Sequence, residues 1–374
     1  MKIGISCYPT YGGSGIIAAE LGKILAERGN EVHFISYAPP TRYEPFQERV
    51  YYHEVEVPDY PLFEYSPYSL ALASVMADIA VYHKLDLIHA HYAIPHAASA
   101  YLAKQITKGG FKTITTLHGT DITLVGNEPS FLPITRFSIE MSDGVTAVSR
   151  YLAQRTISEL KVDKPIQVIY NFVDTEFFRR RDEAPCRSKF ADKDEFILMH
   201  ISNFRPVKRM EDLIEIVDRI RKDFKVKLLL IGDGPMRSRL QQICREKNLE
   251  DNVVFLGKQT CIVDLLSIAD LYLQTSQTES FGLSALEAMS CSVPVISSRA
   301  GGTPEVVQDG ITGYLEDVGD IEAMADKVKH LLGNNTLRAA MGKKARDRVE
   351  NHFSADKIVD QYEAFYAKAL EQRL

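Results

Sequence analysis

Short apolar runs alternate along the chain with stretches whose apolar positions recur every three or four residues. Lys2–Cys7 and Glu31–Ser36 read as buried strands, and Gly15–Arg28 between them as a helix with Ile16, Ala19, Leu21 and Leu25 apolar, closed by Gly29. Leu85–Ala90, Lys112–Leu117 and Gly144–Ala147 continue the strand series. The pattern then restarts. Glu195–Ile201, Val226–Ile231, Val253–Leu256, Leu271–Gln274 and Val293–Ser297 predict strands, with helices over Met210–Asp223 and Pro235–Lys247. Strand–helix alternation implies a parallel sheet covered on both faces, so the fold class is α/β.

Two such series predict two doubly wound, Rossmann-like lobes, 1–167 and 168–354, followed by a last helix over 355–374. The seam falls in 168–194, whose charge run Arg179-Arg180-Arg181-Asp182-Glu183 reads as a solvated connector. Ligands of doubly wound folds bind beyond the strand carboxyl ends. Two facing lobes would therefore put the active site in the cleft between them.

A length of 374 residues agrees with two domains. The formal charge of −6 argues against a nucleic-acid partner. No run approaches the length of a membrane span, and MKIGISCYP lacks the apolar core of a signal peptide, so a cytoplasmic protein is expected. The five cysteines, Cys7, Cys186, Cys244, Cys261 and Cys291, are scattered without a C-x-x-C pair, which argues against a disulfide framework or a zinc site.

The candidate chemistry sits at the predicted strand ends. TESFGLSALEAM, at 278–289, sets Glu279 just before a helix and Glu287 inside it. Backbone N–H groups of Ser280, Phe281, Gly282 and Leu283 lie between them at a helix start, where intrahelical acceptors are lacking. Carboxylates suit sugar and ribose hydroxyls, and free N–H groups suit a phosphate. Gly12–Gly15 follows the first strand, beside Tyr11, and permits close backbone approach by an anion. Gly13, Gly15 and Ala18 also fit a dinucleotide pattern, but Ser36 and Tyr37 stand where that reading needs an acid. Asn203-Phe204-Arg205-Pro206-Val207-Lys208-Arg209 offers cations suited to a diphosphate. His89, His91, His96 and His118 occupy the strand-end segments HAHY and HGTD. No carboxylate or cysteine at ligand spacing supports metal binding by them, so structural or substrate-contacting roles are expected. Asp192-Lys193-Asp194 precedes a strand and reads as a solvated turn.

Taken in order, the glycine loop, LHGTD at 117–121, Arg205 and Lys208, IGDGP at 231–235, Glu279 with Glu287, GGTPE at 301–305 and DGITGYL at 309–315 resemble the retaining, metal-independent glycosyltransferases of family 4. The resemblance covers nearly the whole chain and implies the GT-B fold. SCYPTYGGSGIIAAELG, SNFRPVKR and TSQTESFGLSALEAMSC are most similar to the branch that moves N-acetylglucosamine from UDP-GlcNAc to the hydroxyl of L-malate, the first step of bacillithiol biosynthesis.

That resemblance implies an acceptor-binding first lobe onto which helix 355–374 packs back, a nucleotide-sugar-binding second lobe, and a homodimer. Glu287 would hold the ribose and Glu279 the sugar. Main-chain groups at Ser280–Leu283, with Asn203 and Gly232 nearby, would fix sugar and diphosphate. Lys208 and Arg205 would offset charge on departing UDP. Many relatives carry an arginine at the position of Asn203, and Arg205 is the residue expected to take over its phosphate role here. Gly13 and Ser14 would approach phosphate or acceptor, and His118 the sugar near its reacting carbon. A dicarboxylate acceptor calls for cations and hydroxyl donors, for which Ser14, Tyr92, Thr120, Arg136 and Arg150 are the candidates.

Rival readings keep the fold and change the chemistry. They are transfer to a lipid such as phosphatidylinositol, transfer to inositol phosphate, UDP-sugar epimerisation, or nucleotide-sugar binding without turnover. The segment Ser66–Tyr82 is apolar but lacks lysine and arginine, which argues against docking on a membrane.

Overall fold

The computed structural model describes residues 1–10, 12–41, 43, 47–57, 62, 64–181 and 187–371. Tyr11, the Asp182–Glu183 end of the expected connector, Cys186 and positions 372–374 of the expected last helix lie outside the described residues.

The chain divides into two compact units, Met1–Asn171 with Asp356–Leu374, and Phe172–Ala355. The first contains β1 (Lys2–Ser6), α1 (Gly13–Glu27), β2 (Glu31–Ser36), β3 (Val50–Glu54), α2 (Tyr68–His83), β4 (Leu87–His91), α3 (Ala98–Ile106), β5 (Lys112–Leu117), α4 (Thr120–Thr123), α5 (Leu132–Met141), β6 (Gly144–Ala147), α6 (Arg150–Leu160) and β7 (Gln167–Val168). Its sheet is parallel, in the order β3-β2-β1-β4-β5-β6-β7. Val168, expected to open the second lobe, thus belongs to the last strand of the first sheet.

The second unit contains β8 (Phe196–Ile201), α7 (Met210–Ile220), β9 (Val226–Ile231), α8 (Arg237–Glu246), β10 (Val253–Gly257), α9 (Ile262–Ile268), β11 (Leu271–Gln274), α10 (Leu283–Ser290), β12 (Val295–Ser298), α11 (Thr303–Val306), β13 (Gly313–Glu316), α12 (Ile321–Leu332) and α13 (Asn335–His352). Its parallel sheet runs β10-β9-β8-β11-β12-β13.

Both sheets reverse direction of strand addition once, between β1 and β4 in the first and between β8 and β11 in the second. At such a switch point the loops leaving the two central strands diverge to opposite faces and open a crevice at their carboxyl ends. The strand order alone therefore selects four loops, those after β1, β4, β8 and β11.

The core explains why these segments fold as they do. Helix α7 buries Met210, Leu213, Ile214, Ile216, Val217 and Ile220, a stripe at helical spacing, against Leu228 and Leu230 of β9 and Leu271 of β11. Each such side chain removed from water stabilises the unit by about 1.5–3 kcal/mol. In the first unit Leu72, Met76, Ala77 and Ala80 of α2 cover Ile35 and Ile88. The last helix, α14 (Ala355–Leu370), belongs to the first unit. Its buried Tyr366 hydroxyl lies 2.7 Å from His89 Nδ1, and Arg28 of the α1 C-terminus reaches Asp360 at 2.6 Å and Glu363 at 2.9 Å. His89 Nε2 meets Thr116 Oγ1 at 2.7 Å. This histidine is therefore a packed structural link.

Candidate active site

In the second unit the site begins with the loop after β8. Phe204 is fully buried and anchors it, while Asn203 and Arg205 stand exposed. A single 3-10 turn, Pro206–Lys208, follows. Thr275 Oγ1 lies 3.0 Å from the carbonyls of both Lys208 and Arg209, and the Gln277 N–H donates to Val207 at 2.8 Å. The loop after β8 is thereby tied to the loop after β11. The result is an ion pair: Lys208 Nζ lies 2.6 Å from Glu279 Oε1, and Ser276 Oγ donates to the same oxygen at 2.7 Å. Both charged side chains keep partial exposure, 21% for Lys208 and 13% for Glu279.

Glu279 is held from behind by the segment GGTPE. The Gly302 N–H donates to the Glu279 carbonyl at 2.8 Å. Gly301 adopts φ +57°, and a Cβ there would lie 1.9 Å from that carbonyl oxygen, so only glycine permits the contact. Glu287 lies inside α10, as expected, and is buried there. Burial pushes the Tyr272 hydroxyl pKa well up, and the charges of Glu279 and Glu287 add to the shift, so both carboxylates act on one buried group.

Helix α10 starts at Leu283, with Gly282 in the left-handed region as its cap and no side-chain cap. The first-turn N–H groups that lack intrahelical acceptors are thus those of Leu283, Ser284 and Ala285. Of the expected set, Ser280–Leu283, Leu283 falls in that turn and Gly282 caps it, while Ser280 and Phe281 precede the helix. The Phe281 ring is buried against Phe353, with centroids 5.8 Å apart. Gly232 lies in the turn after β9, next to exposed Asp233.

In the first unit Gly12 caps α1 and Gly13 is its first residue. A Cβ on Gly15 would come within 2.6 Å of the carbonyl oxygens of Tyr8 and Thr10, so this helix can start against β1 only with glycine. Ser14 Oγ donates to the Tyr92 hydroxyl at 2.9 Å. Thr120 hydrogen-bonds the same hydroxyl. Three of the expected acceptor residues therefore meet at one oxygen. Burial pushes the Tyr92 pKa up to about 12, with Asp121 adding to it, so the hydroxyl stays neutral.

Beneath this trio lie buried rings. His118 Nε2 is 2.9 Å from His91 Nδ1, and the Tyr92 and His118 ring centroids are 5.4 Å apart. Burial, with a smaller contribution from His96, takes His118 down to about 3. It therefore serves as a neutral ring at physiological pH. Asp121, not expected as a site residue, organises the two loops. Its carboxylate accepts from the N–H groups of Ala93 at 3.0 Å, Gly119 at 2.9 Å and His118 at 3.3 Å. Burial raises its pKa to about 6 against the opposing effect of those backbone donors. Its place two residues after Gly119 in HGTD was the available signal.

The two arginines lie differently. Arg136 on α5 pairs with Glu140 at 3.1 Å and reaches Asp163 at 4.0 Å, with 41% of its side chain exposed. Arg150 is the first residue of α6 and exposed, behind the capping Ser149.

Residues 11–177 match the family described as Glycosyltransferase Family 4, and residues 182–348 the family described as Glycosyl transferases group 1. The chain is 48% identical over 371 residues to the N-acetyl-alpha-D-glucosaminyl L-malate synthase of Bacillus anthracis, covering 99% of this chain and 97% of that protein. The chain belongs to glycosyltransferase family 4. It is an enzyme of the glycosyltransferase class, with the GT-B fold. It is also 26% identical to the phosphatidylinositol N-acetylglucosaminyltransferase GPI3 subunit of Saccharomyces cerevisiae, over 94% of this chain and 78% of that one. Among solved structures, Anabaena HepE in complex with UDP and glucose matches with a TM-score of 0.83 at 21% identity, covering 98% of this chain and 99% of that chain. That likeness supports the fold. Among the described residues no helix is long and apolar enough to cross a membrane.

Proposed function

We propose that this glycosyltransferase moves N-acetylglucosamine from UDP-GlcNAc to the hydroxyl of L-malate, giving N-acetylglucosaminyl-malate with the α configuration kept, and UDP. The observation that carries the reading is 48% identity across 99% of the chain to a malate synthase of this kind. The product would enter bacillithiol biosynthesis. The same resemblance carries the expectation of a cytoplasmic homodimer that needs no metal ion.

The residues support a division of labour. Oε1 of Glu279 is engaged by Lys208 and Ser276, which leaves Oε2 for the hydroxyls of the donor sugar. Glu287 serves the ribose. Lys208, with Arg205 beside it, offsets the charge that grows on the diphosphate as its bond to the sugar breaks. N–H groups of the first turn of α10 add to that stabilisation. Ser14, Tyr92 and Thr120 orient the acceptor, and neutral His118 contacts the sugar. Retention follows the family account of front-face attack: the malate oxygen bonds to the anomeric carbon as the phosphate oxygen leaves. That phosphate oxygen takes the hydroxyl proton. The protein contributes position and field.

The test is UDP release from UDP-GlcNAc with L-malate, inositol phosphate or water as acceptor, with and without EDTA, with product mass and anomeric form determined. Malate-dependent release insensitive to chelation is expected. Release that depends on inositol phosphate, or that yields only free N-acetylglucosamine, refutes the malate assignment.

A further inference from the structure

Three histidines far apart in sequence converge on one face of the first sheet. His33 lies on β2, His53 on the edge strand β3, and His83 is the last residue of α2. The parallel register sets His33 opposite Tyr51 and Ile35 opposite His53, so all four side chains share one face. Helix α2 crosses that face and delivers His83 from above. Ring centroids are 4.3 Å apart for His33 and His83, and 5.3 Å for His53 and His83. One nitrogen from each ring lies within 4.8 Å of the other two.

The orientation of the central ring is fixed. His33 is fully buried, and its Nε2 lies 3.0 Å from Glu31 Oε1, which also accepts from Lys2 Nζ at 3.0 Å. A carboxylate that takes one ring N–H leaves the other nitrogen with its lone pair outward, the arrangement that commonly backs a metal-bound histidine. Here that second nitrogen, Nδ1, faces His53 Nε2 at 2.9 Å. His53 and His83 are half-buried, so solvent reaches the cluster.

We propose that His33, His53 and His83 form a binding site for a divalent transition-metal ion, zinc being the favoured occupant. Three imidazoles without a thiolate suit zinc, copper or nickel rather than magnesium or calcium, and water completes a tetrahedron. Zinc–nitrogen bonds of about 2.0–2.1 Å require ligand atoms about 3.4 Å apart in a tetrahedron. The His33–His53 pair must therefore open by about half an ångström, exchanging its mutual hydrogen bond for two metal bonds. The site's ligands lie on β2, β3 and α2, whereas Ser14 lies on α1 and Tyr92 and His118 follow β4 and β5. Its effect is to staple the edge strand β3 and the end of α2 to β2.

The experiment uses the full, untagged chain, stripped with a chelator and titrated with Zn2+ by calorimetry. One ion per chain is expected, with a rise in thermal midpoint, and Co2+ should give the visible absorption bands of a tetrahedral site. His53→Gln and His83→Gln, at half-buried positions, should each weaken binding by about tenfold or more, and Glu31→Gln by about 10–100-fold. Circular dichroism confirms that each variant folds, and glycosyl transfer should be unchanged in all of them. Absence of stoichiometric binding overturns the proposal. So does zinc affinity that survives both histidine variants, or that is lost in Cys261→Ser, since Cys261 is an exposed thiol elsewhere.

Discussion

The two sheets reverse at the same topological place and put opposite chemistry there. After β1 and β4 the meeting side chains are Ser14 and Tyr92, neutral and 2.9 Å apart. After β8 and β11 they are Lys208 and Glu279, charged and 2.6 Å apart. One backbone solution thus presents two kinds of chemistry. A partly exposed ion pair suits a group whose charge changes during reaction, because fixed charges need little rearrangement to stabilise it. Hydroxyls above buried neutral rings suit orientation of an acceptor. The difference extends below the surface. Burial lowers the pKa of His33, His53, His89, His91, His96 and His118 in the first unit, and of His200 in the second.

The largest consequence is acid sensitivity. His89, His96 and His118 sit at about 3 in the folded chain, against about 6.5 unfolded. A depressed folded pKa gives stability that is complete above about pH 6.5 and lost as pH falls towards the folded value. Each group then costs up to about 1.4 kcal/mol per pH unit. Asp121, raised to about 6, acts in the opposite sense between about pH 4 and 6, but it is one group against several. Between pH 6.5 and 5, amide protection in β4 and β5 should therefore be lost before protection in β8, β9 and β11. Hydrogen exchange read by mass spectrometry, corrected for intrinsic rates, measures the order. Simultaneous loss, or earlier loss in the second unit, breaks the contrast.

Next in size is Lys208→Ala. If the ion pair serves the leaving diphosphate, kcat should fall by about 10²–10³, the usual cost of one transition-state charge contact. Lys208→Arg should recover part of it. A fall of less than about tenfold would transfer the role to exposed Arg205, and Arg205→Ala then becomes the damaging variant. Steady-state UDP release at saturating acceptor separates these cases.

The strand series was legible because strands buried on both faces read as unbroken apolar runs. The strands that escaped, β3 (VYYHE), β7 (two residues) and β13 (GYLE), are sheet edges, where partial exposure mixes polar residues into the pattern. Local site features were legible too: the glycine turn before α1, and Glu287 on the helix that follows Glu279. What escaped is pairing across the chain. Lys208 and Glu279 are 71 positions apart, and Ser14 and Tyr92 are 78 apart. Only strand order brings them together. The same limit hid the role of Asp121, whose partners Ala93 and Gly119 leave different strands. Arg136 is a local case instead: its partner Glu140 lies four residues on, and one turn of helix gives a salt bridge as readily as a ligand contact.

The smallest effect sharpens the comparison most. Tyr92→Phe removes the one oxygen shared by Ser14 and Thr120 while leaving the ring on His118 in place. A neutral hydrogen bond contributes a net of about 0.5–1.5 kcal/mol, so the acceptor KM should rise by about twofold to tenfold, with donor affinity unchanged. No charge is lost, so kcat should change little, unlike in Lys208→Ala. A structural role alone would lower the thermal midpoint and leave the KM for malate as it was. Loss of donor affinity would mean that the neutral switch point also holds the nucleotide sugar, and the division between the two units would fail at its own best-defined contact.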